Sequence, residues 1–216
     1  MRYIIMCGGH SVNSWDTPKQ LVEIGGEPVV ARTIRLLREN GVDDIAISSD
    51  NPAFLEFGVP VLIHENNYYH RSKDDVDGYW FECFYPTDEP TCYIFGDVVF
   101  SPDAIRTIIE TDTDDIELFG SMPPLAPEYP KKHIEPFALK VVNTGHLKDA
   151  IAKDKELDAQ RAFWRRPIMW ELWTVIKGHP LQRKPGRYIY DYTAINDYTC
   201  DIDCEDDIEV MERLVK

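Results

Sequence analysis

The chain has 216 residues and a formal charge of −15, from 23 Lys and Arg against 38 Asp and Glu. That charge repels a polyanion over most of the surface, so DNA or RNA is a poor partner, while one or two lysines beside a divalent ion can still seat a small phosphorylated ligand. The length suits one α/β domain with a proper core. No run of about 18 apolar residues occurs, and the N-terminus lacks the basic flank and cleavage site of a signal peptide, so neither a membrane partner nor export is expected and the reading is cytoplasmic. The five cysteines, Cys7, Cys83, Cys92, Cys200 and Cys204, include no CxxC pair, which argues against a disulfide scaffold or a zinc knuckle.

The chain opens on an apolar run, Arg2-Tyr3-Ile4-Ile5-Met6-Cys7, that breaks into Gly8-Gly9 and leads to Pro18-Lys19-Gln20-Leu21. A buried strand, a glycine turn and a lysine on a short tether together suit a phosphate seat: glycine lets backbone N–H groups approach anionic oxygens, and Lys19 adds charge. Leu21 to Ile24 reads as a short extended piece turning at Gly25-Gly26, and Pro28 starts a helix that Asn40-Gly41 closes. Asp44 to Ser49 reads as a second strand, Pro52 to Phe57 as a short helix and Val59 to Ile63 as a third strand. Thr91 to Phe95 is a fourth strand, halted by Gly96-Asp97, and Ser101-Pro102-Asp103 caps a helix through Ile109.

Beyond residue 115 the alternation loosens. Asp115 to Met122 reads as a strand, Pro123 to Pro130 as a loop, Glu135 to Asn143 as a long strand and Gly145 to Lys155 as a helix. Trp164, Trp170 and Trp173 stand at helical spacing across Pro167, and Cys204 to Val215 forms a last helix. The predicted fold is a three-layer α/β/α sandwich, Rossmann-like, with a mixed, mainly parallel sheet; it is expected as one domain over 1–216, with a less regular subregion around 120–195.

Three marks in this order resemble the MobA-like and sugar-phosphate nucleotidyltransferases, a family that includes choline-phosphate cytidylyltransferases. Met6-Cys7-Gly8-Gly9, Pro18-Lys19-Gln20-Leu21 and Gly25-Gly26-Glu27-Pro28-Val29 look like its Leu-Ala-Ala-Gly-x-Gly-x-Arg, Pro-Lys and Gly-Lys-Pro-Leu; Tyr93 to Asp97 looks like its strand-ending Gly-Asp; Asp201 to Ile208 looks like its terminal Val-Asp-Thr-Pro-Glu-Asp-Leu. The family's second glycine and its arginine have no counterpart between His10 and Trp15.

The resemblance implies transfer of an NMP unit from an NTP to a small phosphorylated acceptor, a sugar phosphate or an alcohol phosphate such as phosphocholine, with release of pyrophosphate and dependence on Mg²⁺. Lys19 and Asp97 would be catalytic; Met6, Cys7, Gly8, Gly9 and Lys19 would bind the nucleotide; Asp97 and Asp203 would hold the metal. Two carboxylates from separate loops suit Mg²⁺, which keeps its other positions for water and phosphate oxygens. A second lysine at the acceptor phosphate would be Lys140, or Lys131 or Lys132, and Arg71 and Trp170 are further acceptor-binding candidates. The aromatic group Trp164, Trp170, Trp173, Tyr188, Tyr190 and Tyr192 could face a quaternary ammonium, pack as core, or cover a homodimer interface. Two other readings stand beside this one: a glycosyltransferase using a nucleotide sugar, which usually carries Asp-x-Asp where this chain has Asp97-Val98-Val99, and a non-catalytic nucleotide-binding protein that kept the fold without the loop arginine.

Overall fold

The structure is a computed structural model that describes residues 1–8, 17–64, 80–181 and 190–216. Among the described residues the main sheet has seven strands in the order β10-β8-β9-β6-β1-β4-β5. In chain order these are β1 Arg2–Met6, β4 Ile45–Ser48, β5 Val61–Leu62, β6 Thr91–Phe95, β8 Ile116–Gly120, β9 Pro136–Val141 and β10 Thr193–Ala194. β1 lies parallel between β4 and β6, β5 extends that run, and β9 alone is antiparallel, to both β6 and β8. The sheet is mixed and mainly parallel, as expected.

The composition of β1 explains its central place. Ile4 and Ile5 are fully buried although they point to opposite faces, which is the mark of a strand covered on both sides. The covering helices are α1 Val29–Glu39, α2 Pro102–Glu110, α3 Thr144–Ala159, α4 Met169–Ile176 and α5 Glu205–Leu214. Their starts follow local chemistry: Ser101 accepts the Ala104 N–H with Pro102 in the first turn of α2, and Asn143 accepts the His146 N–H at α3. At α5 the Asp207 carboxylate reaches back to the N–H groups of Asp203 and Cys204, at 2.7 and 3.1 Å.

Some expectations are corrected. Pro52–Phe57 is a 3-10 helix, closed by Gly58 at φ 65°, and the third strand shrinks to Val61–Leu62. Pro167 delays the tryptophan helix to Met169, so Trp164 falls outside it and stays exposed, whereas Trp170 and Trp173 are buried. The extended piece turning at Gly25-Gly26 is a ribbon of β2 Glu23–Ile24 with β3 Glu27–Pro28, whereas a second antiparallel ribbon, β7 Val98–Val99 with β11 Cys200–Asp201, carries no periodicity in the sequence. Among the described residues no helix is long and apolar enough to cross a membrane.

Asp154 of α3 is fully buried, and neither of its carboxylate oxygens has a hydrogen-bond partner among the described residues. Burial, reinforced by Glu171 of α4 and by Asp158, pushes its pKa up to about 7. Because the folded pKa lies above the unfolded one, the native state holds the extra proton between about pH 4 and 7, and stability falls as pH rises through that window. Asp154→Asn is therefore expected to raise the melting temperature by several degrees at pH 8 and to change it little at pH 4. Equal shifts at both values, measured by thermal scans, would contradict a charged Asp154.

Candidate active site

The carboxyl edge of the sheet gathers the chemistry. Past the end of β1, Cys7 donates its N–H to Ser48 O at 2.9 Å and accepts the Ser49 hydroxyl on its carbonyl at 3.0 Å, which leaves Gly8 at the open edge. The side chains of Met6 and Cys7 are buried, so any contact they make with a ligand would come from backbone, and burial drives the Cys7 thiol well above its usual pKa. On the neighbouring strand, Gly96 donates to Met6 O at 3.1 Å and carries the chain straight into Asp97. A Cβ on Gly96 would stand 2.3 Å from Met6 O. Gly96→Ala is thus expected to cost about 1–3 kcal/mol by pushing β6 off β1 and to displace Asp97; an unchanged melting temperature would show that the two strands separate freely here.

The ribbon of β7 and β11 then brings two distant segments together. Val98 pairs with Asp201, and Ile202 donates its N–H to Asp97 O at 3.0 Å. Asp203 emerges beside Asp97 as a result. Lys19, at the start of a 3-10 turn Lys19–Leu21 whose Gln20 is buried, places its ammonium 2.6 Å from Asp203 Oδ1 and 3.8 Å from Asp97 Oδ2.

From the other side comes Lys131, in the segment before β9. Its ammonium lies 2.5 Å from Asp201 Oδ1, 2.6 Å from Asp203 Oδ2 and 3.8 Å from Asp207 Oδ2. Glu135 precedes β9 and is held by Ser121, whose N–H donates to Glu135 O at 3.0 Å and whose hydroxyl accepts the Glu135 N–H at 2.9 Å. His133 Nε2 lies 2.5 Å from Glu135 Oε1.

Five carboxylates, Asp97, Glu135, Asp201, Asp203 and Asp207, therefore share the edge with two ammonium groups. Burial pushes Asp97, Glu135 and Asp201 above the usual carboxylate range. Asp203 moves the other way: burial opposes ionisation, but hydrogen bonds from Lys131 and Lys19 more than offset it. Burial likewise disfavours the charged form of both lysines, yet Asp97 and Asp203 for Lys19, and Asp201 and Asp203 for Lys131, raise their pKa values and keep them cationic.

One oxygen each from Glu135, Asp201 and Asp203 lies within 4.8 Å of the others. Opposite ligands of a small octahedral cation stand about 4.2 Å apart, so a slight contraction would let these three oxygens close on one ion. An all-oxygen donor set suits Mg²⁺, Mn²⁺ or Ca²⁺ and not a thiophilic metal. The excess of negative charge fits such an ion.

Of the residues expected from sequence, Lys19, Asp97 and Asp203 converge, with Met6, Cys7 and Gly8 on the adjoining edge. Gly9, Arg71, Tyr188 and the stretch His10 to Trp15 lie outside the described residues. Lys140 is not brought to the site: it pairs in register with Cys92 near the opposite edge, and its ammonium donates to the carbonyls of Ile109 and Thr111 at 3.1 and 2.6 Å. Among the lysine candidates Lys131 is the one at the carboxylates. Trp170 is buried against Tyr192, with ring centroids 5.5 Å apart, and the Tyr192 hydroxyl donates to Ser121 O at 2.8 Å; its link to the site is indirect. Glu135 was not anticipated. The only trace of it in sequence is an acid closing the basic run Lys131-Lys132-His133 just before a strand.

Residues 3–166 match the model of the MobA-like NTP transferase domain. A comparison with curated proteins finds no match. Among solved structures, the inositol-1-phosphate CTP transferase from T. maritima is 17% identical, with a TM-score of 0.56, over 100% of this chain and 96% of that one. A putative glucose-1-phosphate thymidylyltransferase from Bacillus anthracis is 17% identical over 99% and 94%, with a TM-score of 0.57. The CTP:phosphocholine cytidylyltransferase from Streptococcus pneumoniae is 15% identical over 100% and 99%, with a TM-score of 0.53. At these identities the likeness is one of fold.

Proposed function

The chain belongs to the MobA-like NTP transferase family, and from that premise we propose that it moves an NMP unit from an NTP to a small phosphorylated acceptor, a sugar phosphate or an alcohol phosphate, with release of pyrophosphate. In the reaction an acceptor phosphate oxygen bonds to the α-phosphorus while the bond from that phosphorus to the bridging oxygen of the pyrophosphate breaks. The acceptor is already ionised, so no general base is needed. Both reactants are anions, and their repulsion is the barrier the site must lower.

The observation that carries this reading is the meeting of two charged lysines on Asp203, at the carboxyl edge of the sheet. Lys19, which also reaches to 3.8 Å from Asp97 at the end of the strand beside β1, would take the α-phosphate and the developing charge on the leaving group. Lys131, with a side chain only 7% exposed, would hold the acceptor phosphate. Glu135, Asp201 and Asp203 would hold a divalent cation, most simply Mg²⁺, with Asp97 beside them; when bound it would neutralise charge on the reacting phosphates. Residues 1–216 would form one catalytic domain, with the wall from 120 to 195 lining the acceptor side.

The glycosyltransferase alternative loses ground because Val98 and Val99 are committed to the ribbon with β11, so no second acid follows Asp97 there. Pyrophosphate release, assayed with each NTP against a panel of sugar and alcohol phosphates, tests the proposal. Turnover with at least one pair is expected. No turnover with any, together with unchanged NTP affinity in Asp97→Asn, would sink it in favour of a non-catalytic nucleotide binder.

A further inference from the structure

Behind the carboxylates lies a polar network that none of the steps above uses. Asp197 accepts the Thr199 N–H on Oδ1 at 2.6 Å and takes the Ser101 hydroxyl on Oδ2. Thr199 Oγ1, fully buried, accepts the Ser101 N–H at 3.0 Å. Arg32 of α1, 9% exposed, donates to Phe100 O at 3.1 Å and to the Tyr198 hydroxyl at 3.2 Å. The contacts therefore tie the segment just after β7 to the segment just before β11.

We infer that Asp197 is a positioning residue for the cation site, acting by locking the register of the β7/β11 ribbon; the inference rests on the site reading given above. A ribbon of two residues per strand is too short to hold its own register. Its register nevertheless decides the site. Asp201 and Asp203 are two residues apart and share a face, while Ile202 between them is fully buried. A slip of one residue would turn Ile202 toward the site and both carboxylates toward the core. Asp197 sits two residues ahead of Thr199 and four ahead of Asp201, and Ser101 sits four beyond Asp97. One carboxylate thus pins both segments at equal and short distance from the acids they carry. The Arg32 contacts add α1, which follows the Lys19 segment, to the same assembly.

The test is a titration of the full chain with Mn²⁺ alone, without nucleotide, read by the paramagnetic resonance of the free ion. Asp197→Ala is expected to weaken Mn²⁺ binding about tenfold to a hundredfold, the effect usual for groups that orient metal ligands. Asp197→Asn keeps an acceptor for the Thr199 N–H and is expected to retain most of the affinity. Thr199→Val, close in shape, loses only the acceptor for the Ser101 N–H and is expected to shift binding in the same direction as Asp197→Ala, which keeps the test open if that variant does not fold. Val141→Ala, in the core at the opposite edge of the sheet, is the control for lost stability and is expected to bind like wild type. Wild-type affinity in folded Asp197→Ala and Thr199→Val, or an equal loss in Val141→Ala, would overturn the positioning role while leaving the cation site intact. A wild-type chain that binds no Mn²⁺ would overturn the site itself, and the positioning role with it.

Discussion

Lys19→Ala is expected to slow nucleotidyl transfer by about 10² to 10³, the usual loss when one preorganised charge is removed from a site of developing anionic charge. The acceptor KM should stay nearly unchanged, since the reading places Lys131 at the acceptor. A second consequence runs in the opposite direction. Lys19 spends its charge on Asp203 Oδ1 at 2.6 Å and on Asp97 at 3.8 Å, so it competes with any cation for those oxygens. Its removal should tighten binding of Mn²⁺ to the free chain even as turnover falls. Parallel losses in both quantities would mean that Lys19 merely supports the loop, and a normal rate would remove it from the mechanism.

Asp203→Asn carries the other large effect. Both oxygens of Asp203 are engaged, one by each lysine, and it also belongs to the trio with Glu135 and Asp201 that can close on a cation. The amide keeps the shape and removes the charge on which all three roles depend. The expected result is a rise of at least tenfold in the cation concentration needed for activity, comparable to the loss of a metal-orienting group, and a lower rate at saturation because both ammonium groups lose their common anchor. A metal titration identical to wild type would return Asp203 to the ordinary role of an acid at the start of a helix, where the dipole alone favours it.

Much of the fold was legible because burial leaves a pattern in the order of residues. The unbroken apolar runs of β1 and β6 are what a strand covered on both faces requires, and the Ser101-Pro102 start of α2 is local chemistry. The extended piece turning at Gly25-Gly26 was legible from its glycines, but the β7/β11 ribbon was not: two residues show no period, and the partner of β7 lies about a hundred positions away in β11. The site was legible in proportion to its locality. Lys19 and Asp97 follow from a strand end and a glycine; Asp203 was readable only through a motif shared with a family. Glu135 escaped notice, and the candidates Lys140, Lys131 and Lys132 could not be told apart, because which end of an antiparallel strand a lysine occupies depends on a pairing direction that spacing alone does not reveal.

The sequence by itself determined the class of fold, the glycine break after β1, the acidic balance and a set of candidate groups for phosphate and a cation. These follow from short-range periodicity, turn chemistry and charge, each of which acts within a few residues. Only the tertiary structure decided which charges meet. Lys19, Asp97, the Lys131–Glu135 segment and Asp203 come from four separate stretches of chain, and their convergence depends on strand order and on the register of one short ribbon. Coulombic energy falls with distance in space and is blind to distance in sequence, so the same lysines could be scattered surface groups or partners of one carboxylate until packing brought them to Asp203.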